Sequence, residues 1–252
     1  MTQNLFSVAD RVVIVTGATR GIGRAIAEGF LEAGARVVLV GRSESVEEQA
    51  RGYGPAEAVG IRADVSARED RQRICEQTVE QLGRIDVLVN NAGITRTGEG
   101  DYSEEDWDET LDVNLKAAFF LAQSVAGVMR ERQGGSIINI GSISAHVAMP
   151  DNPAYQAAKG GLLQLTRAMA LDWAASNIRV NQINPGYIHT DMSAASYADP
   201  EKHRQRAGQT MLGRWGTPQD LVGACLFLAS DASSYITGID MNVDGGWVAK
   251  GM

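Results

Sequence analysis

Seven short apolar runs recur along the chain, each separated from the next by residues in helical spacing: RVVIVT (11–16), RVVLVG (36–41), AVGIRA (58–63), IDVLVN (85–90), SIINIG (136–141), IRVNQIN (178–184) and YITGIDMNV (235–243). They are rich in β-branched residues and do not alternate cleanly between apolar and polar, which is what strands covered on both faces require. Helical patterns lie between them near 22–33, 44–51, 67–82, 104–131, 153–176 and 217–229. Strand, helix, strand repetition predicts an α/β fold built on a doubly wound sheet. The 104–131 pattern is long for one helix. Asn114 near its middle competes for backbone hydrogen bonds, so a kink or break is expected there.

No internal repeat, low-complexity tract or Pro/Ser-rich linker divides the 252 residues, so one domain spanning 1–252 is expected. A hydrophobic content of 44% is enough for a sizeable core. The net charge of −8, with no basic run, argues against nucleic acid or an anionic membrane surface as the main partner. The start, MTQNLFSVADRV, lacks the pattern of a signal peptide, and no later run is apolar for long enough to cross a bilayer, so a cytoplasmic protein is expected. Cys75 and Cys225 are far apart and each lies in a helical pattern, which suits small buried apolar residues better than a disulfide or a zinc site; no metal is expected.

The first strand runs through Thr16-Gly17-Ala18-Thr19-Arg20-Gly21-Ile22-Gly23 directly into a helix. Glycines there allow a tight turn, close approach of backbone to a pyrophosphate and close packing of helix on sheet, while the helix N-terminus supplies amide donors. The spacing differs from G-x-G-x-x-G, but strand before and helix after are the context a dinucleotide site demands. The second strand ends Val40-Gly41-Arg42-Ser43, with no acid to bind a ribose 2′-hydroxyl. Arg42, with Arg20, is placed to pair with a 2′-phosphate, which favours NADP(H), with NAD(H) as the alternative. Three more clusters fall at strand ends: Asp64-Val65, either an adenine contact or a cap for the 67–82 helix; Asn90-Asn91-Ala92-Gly93; and Asn184-Pro185-Gly186.

A second stretch, Gly141 to Gly161, holds a hydroxyl, a phenol and an amine in Ser142, Tyr155 and Lys159. With Asn152 or Pro153 opening a helix, Tyr155 and Lys159 lie four apart on one face. An ammonium beside a phenol lowers the phenol's pKa from its usual value near ~10 toward the range of general acid–base catalysis. Such pairs also occur by chance on helices, so the spacing alone is a weak signal.

Taken together, TGATRGIG, NNAG, Asn114, Ser142, the Tyr155/Lys159 pair, Pro185-Gly186 and Thr190 resemble, in order and spacing, the short-chain dehydrogenase/reductase family. The resemblance covers nearly the whole chain. It implies a Rossmann fold with a seven-stranded parallel sheet and a catalytic tetrad of Asn114, Ser142, Tyr155 and Lys159. Tyr155 is then the general acid or base and Ser142 binds the substrate oxygen; Lys159 lowers the Tyr155 pKa and binds the nicotinamide ribose. Asn114 holds through its main chain a water leading to solvent. Cofactor contacts implied are Gly17, Thr19, Arg20, Gly21, Ile22, Gly23, Arg42, Asp64, Val65, Asn91, Ala92, Gly93, Tyr155, Lys159, Pro185, Gly186, Ile188 and Thr190. A homotetramer is implied as well.

Segment 191–212 corresponds to a mobile substrate lid in that family. Its His203, Arg204 and Arg206, with few large apolar residues, suit a polar or anionic substrate, although a solvated helix face explains them equally. Substrate-wall candidates are Ser142, His146, Asn152, Tyr187, Met192 and His203. GRWGTPQDL (213–221), FLASDASSYITG (227–238) and VDGGW (243–247) resemble members that oxidise sugar acids, and more loosely the 3-oxoacyl-acyl-carrier-protein reductases. The expected reaction interconverts a carbonyl and a secondary alcohol on a sugar acid, polyol or other small polar ketone, with the acyl reductase as the alternative. A non-catalytic NADP(H)-binding regulator would be expected to lack the Tyr or the Lys.

Overall fold

Val12–Thr16 form β1, and every one of the five residues is buried, because side chains pointing to either face of the sheet meet a layer of helices. The computed structural model describes residues 4–54, 57–97, 102–132 and 134–250. After β1 come α1 (Gly21–Glu32), β2 (Arg36–Gly41), α2 (Ser45–Tyr53), β3 (Ala58–Arg62), α3 (Arg68–Leu82) and β4 (Val87–Asn90). The second half supplies α4 (Glu104–Leu111), α5 (Ala117–Glu131), β5 (Gly135–Ile140), α6 (Pro153–Trp173), β6 (Ile178–Pro185), α7 (Ala194–Ala198), α8 (Pro200–Gln209), α9 (Val222–Ala229) and β7 (Asp240–Val243).

The strands form a single parallel sheet in the order β3-β2-β1-β4-β5-β6-β7. Alternate strand residues divide between two cores. Val13, Val15, Val37, Leu39, Val87 and Ile138 pack against α1, α2 and α9 through Ile26, Phe30, Val46, Cys225 and Leu228. Ile14, Val38, Val40, Leu88 and Ile137 pack on the other face against α3, α5 and α6 through Ile74, Leu121, Val125, Met129 and Met169. Each such aliphatic side chain contributes roughly 1.5–3 kcal/mol by leaving water. The order reverses between β1 and β4, and the carboxyl ends of the strands open there into a crevice, the ligand site of doubly wound sheets.

The break expected at Asn114 is present, and two departures from the sequence-based expectation have physical causes. The 104–131 pattern is interrupted by a π-helical turn, Asp112–Lys116, where the Asn114 side-chain amide donates to Thr110 O at 2.8 Å and disturbs the α-helical ladder. The last strand begins at Asp240 rather than 235, because Gly238 has a φ of +75° and Thr237 and Ile236 bond β6 through side-chain contacts instead of a ladder. Segment 191–209 is helical, with Asp199 capping α8 through bonds from the Glu201 and Lys202 amides. No helix among the described residues is long and apolar enough to cross a membrane.

Candidate active site

The crevice holds a cavity of about 730 Å³ that runs from the glycine turn to α6. At one end, Gly17 and Gly21 adopt φ of +65° and +55°, backbone that L side chains resist. A Cβ on Gly23 would lie 2.3 Å from Gly17 O and 2.4 Å from Asn91 Nδ2, so only glycine lets α1 start this close to β4. No side chain caps the α1 N-terminus and no acid lies in its first turn. Free amide donors, a favourable helix dipole and close backbone approach are what a pyrophosphate needs, and the residues fit a dinucleotide. Asn91 locks the turn by donating to Thr16 O at 2.8 Å.

Beyond the turn, Arg42 and Asp64 face each other at 3.9 Å, while Arg20 lies 3.7 Å from Asp191. All four side chains are exposed enough that these pairs hold loosely and leave both guanidinium groups available. Of the two readings of Asp64, the helix cap falls away: α3 is preceded by Ala67 with no side-chain cap, and Asp64 Oδ1 instead accepts from the Ser66 amide and hydroxyl. Arg71, buried, donates to the carbonyls of Val65 and Ser66 and fixes this turn from below.

At the other end, Ser142 opens a short helical turn, where its hydroxyl oxygen accepts from the Ser144 amide and from Ser144 Oγ at 2.8 Å. Its own proton is therefore free for a neighbour. Pro153 starts α6 and brings Tyr155 and Lys159 to the same wall as Ser142. Lys159 is buried, its Nζ donating to Ile140 O at 2.8 Å and lying 5.5 Å from the centre of the Tyr155 ring. Asn114 stands opposite, its Oδ1 accepting from Ile94 N and its Nδ2 donating to Ile94 O.

The expected lowering of the Tyr155 pKa by Lys159 is not found. Burial raises the phenol, and a hydrogen bond with Ser142, which favours the phenolate, pulls against it. The ammonium donates to the Ile140 carbonyl, and no charge effect of Lys159 offsets the burial of the phenol. Burial lowers Lys159 itself from its ordinary 10.5 to about 8. This set can hold a carbonyl oxygen between two hydroxyl donors and exchange a proton with it.

The model for a family described as enoyl-(acyl carrier protein) reductase, a group of short-chain dehydrogenases, matches residues 17–248. The chain belongs to the short-chain dehydrogenase/reductase family. Like other short-chain dehydrogenase/reductases it is an NAD(P)-dependent oxidoreductase that interconverts a carbonyl and a secondary alcohol. It is 37% identical over 260 residues to a 2-dehydro-3-deoxy-D-gluconate 5-dehydrogenase of Dickeya dadantii, covering 99% of this chain and 100% of that one. It is 39% identical over 244 residues to a 3-oxoacyl-acyl-carrier-protein reductase of Thermotoga maritima, covering 94% and 98% of the two. Among solved structures, a gluconate 5-dehydrogenase of Burkholderia cenocepacia in complex with NADP and tartrate superposes with a TM-score of 0.94 at 36% identity, covering 98% of both chains.

In this short-chain dehydrogenase/reductase the cavity gathers every cofactor and tetrad candidate from Gly17 to Thr190, along with Tyr187 and Met192. Three substrate candidates lie off its wall. His146 is pinned between Asp240 Oδ2 at 2.8 Å and Asn184 Nδ2 at 3.1 Å. His203 stacks near Trp215 and accepts Trp215 Nε1–H at its backbone carbonyl, a packing role in a cluster with Tyr197 and His189. Asn152 sits one layer behind Thr95, to which its Nδ2 donates at 2.7 Å. The sequence reading missed Ser43, Ser45, Gln49, Ile94 and Thr95 on the wall. Ser43 follows Arg42 directly with Ser45 two residues further on, and Thr95 is the second residue after the Asn-Asn-Ala-Gly run, so nearness to a strand end was the available signal.

Proposed function

We propose that this enzyme reduces or forms the keto group of a sugar acid or closely related polyhydroxylated acid, with NADP(H) as its preferred cofactor. The observation that carries the catalytic part is the convergence of Ser142, Tyr155 and Lys159 on one wall of the cavity that begins at the glycine turn. When bound, the nicotinamide supplies or accepts the hydride at the carbonyl carbon. Ser142 donates to the carbonyl oxygen and Tyr155 gives that oxygen its proton in reduction, or removes it in oxidation. Lys159 holds the nicotinamide ribose, and Asn114, with the π-helical turn around it, keeps the proton route open beside Ile94. Asp64 and Val65 contact the adenine, Pro185, Gly186, Ile188 and Thr190 the nicotinamide end, and the 191–212 segment serves as the substrate lid.

NADP(H) is favoured because β2 ends without an acid and Arg42 and Arg20 offer guanidinium groups for a 2′-phosphate. The substrate class is supported by the names of the sugar-acid relatives and by the tartrate, a hydroxylated diacid, in the Burkholderia cenocepacia structure. A homotetrameric, cytoplasmic enzyme completes the reading; exposed Leu171 on α6, Phe120 on α5 and Tyr235 ahead of β7 supply apolar surface for partner subunits. The test is oxidation of NADPH and of NADH with a panel of keto sugar acids and short 3-oxoacyl thioesters. Keto-acid turnover by the wild type, lost by a factor of about 10³ or more in Tyr155→Phe with NADPH affinity kept, is expected. Turnover of the thioesters alone would replace the substrate reading, and a Tyr155→Phe enzyme within a few-fold of wild type would remove Tyr155 from its role.

A further inference from the structure

Asn152 occupies the N-cap of α6, a position where its side chain ordinarily accepts a bond from the first turn and where losing that bond costs about 1 kcal/mol. Here no such bond is made. The side chain turns to Thr95 instead, its Nδ2 donating to Thr95 Oγ1 at 2.7 Å. Its Oδ1, the atom that would make the cap bond, is buried without a partner among the described residues. With the oxygen unpaired, the donation to Thr95 is the side-chain hydrogen bond this amide keeps among the described residues.

That contact decides what Thr95 offers the cavity. A hydroxyl has one proton and two lone pairs, and the Asn152 donation occupies a lone pair. The Thr95 proton has no acceptor among the described residues, and Thr95 lines the cavity wall next to Ile94, which Asn114 ties to the tetrad. The loop behind stays in place without the Asn152 amide, since the Gln156 side chain bonds Met149 N, Met149 O and Asn152 O.

We propose that Thr95 donates a hydrogen bond to a hydroxyl or carboxylate oxygen that the substrate carries beside its reacting carbonyl, and that Asn152 is the positioning residue that directs the Thr95 proton into the cavity. This rests on the reading of the substrate as a polyhydroxylated acid and names one wall residue that selects it. A site built around such a donor discriminates against substrates that lack the acceptor far more sharply than an apolar wall does.

The experiment compares kcat/KM with NADPH on two ketones of the same carbon skeleton, one bearing the hydroxyl and carboxylate groups and one bearing neither. Thr95→Val lowers kcat/KM on the hydroxylated acid by roughly tenfold or more, mostly through KM, changes the plain ketone less than twofold and leaves NADPH affinity as in the wild type. Thr95→Ser restores the wild-type preference. Asn152→Ala lowers turnover of the hydroxylated acid in the same sense, and the double variant is no worse than Thr95→Val alone, because Asn152 acts through Thr95. Asn152→Asp, which can only accept, draws the Thr95 proton to itself and behaves like Thr95→Val. Equal losses on both ketones, additive losses in the double variant, or an unchanged Thr95→Val would overturn the proposal while the substrate reading stands. A wild type inactive on every hydroxylated or acidic ketone would overturn both.

Discussion

Replacing Lys159 with Met should abolish turnover and yet make the cofactor-free protein more stable at neutral pH. The lysine is 4% exposed, and burial brings its pKa from 10.5 to about 8. Below pH 8 it is charged in both the folded and unfolded chain, and the fold carries the whole penalty, roughly 3 kcal/mol at 1.4 kcal/mol per pH unit. Between pH 8 and 10.5 the native lysine is neutral while the unfolded one still holds its proton, so wild-type stability rises with pH and the penalty disappears. Against this, the variant loses the Nζ bond to Ile140 O, about 1 kcal/mol. Met nearly matches the lysine stem in volume and flexibility, so packing changes little. The net expectation is a variant about 1–2 kcal/mol more stable at pH 7, with an advantage that shrinks as pH passes from 8 toward 10.5. Equilibrium urea unfolding of both proteins at equal concentration across that range measures it. A variant less stable at pH 7, or an advantage that does not move with pH, would refute the account of Lys159 as a group whose charge the fold tolerates for its chemistry.

Two further outcomes follow from the site. Arg42→Ala should raise the Kd for NADPH by roughly tenfold or more and that for NADH by less than about threefold, because a charge-assisted bond to the 2′-phosphate is lost; equal losses in fluorescence titrations would remove Arg42 from cofactor choice. Gly93→Ala would put a Cβ 2.7 Å from Asn114 Oδ1, which is held by Ile94 N and cannot swing away. Overpacking there should cost about 1–3 kcal/mol in urea unfolding and lower kcat by tenfold or more, and a wild-type kcat would show that Asn114 tolerates displacement.

Much of this enzyme was legible before any coordinate. The strand runs are short-range patterns, and a β-branched run with no polar face has few places to go except the middle of a covered sheet. The glycine turn is equally local: the positive φ of Gly17 and Gly21 and the bare α1 N-terminus are written in residue type and order. Even the break at Asn114 follows from an amide that bonds its own helix four residues back. Tyr155 and Lys159 were paired by a helical repeat that needs no tertiary information.

What the sequence could not say is what each of those groups meets. The helical spacing placed Lys159 beside Tyr155 but left unseen the Ile140 carbonyl, 19 residues back in sequence, that accepts a hydrogen bond from its ammonium. The Tyr155 shift runs upward because burial dominates it, and desolvation sums over everything packed around a group, of which neighbours along the helix are only part. His146 and His203, plausible substrate contacts by position, are drawn away by Asp240 and Trp215 from elements more than ten residues off. Thr95 and Asn152, 57 residues apart, become one unit only when the loop after β4 meets the start of α6. Local periodicity and residue chemistry determined the sheet, the glycine turn and the candidate reacting groups; tertiary packing alone decided which lone pairs and protons those groups have left.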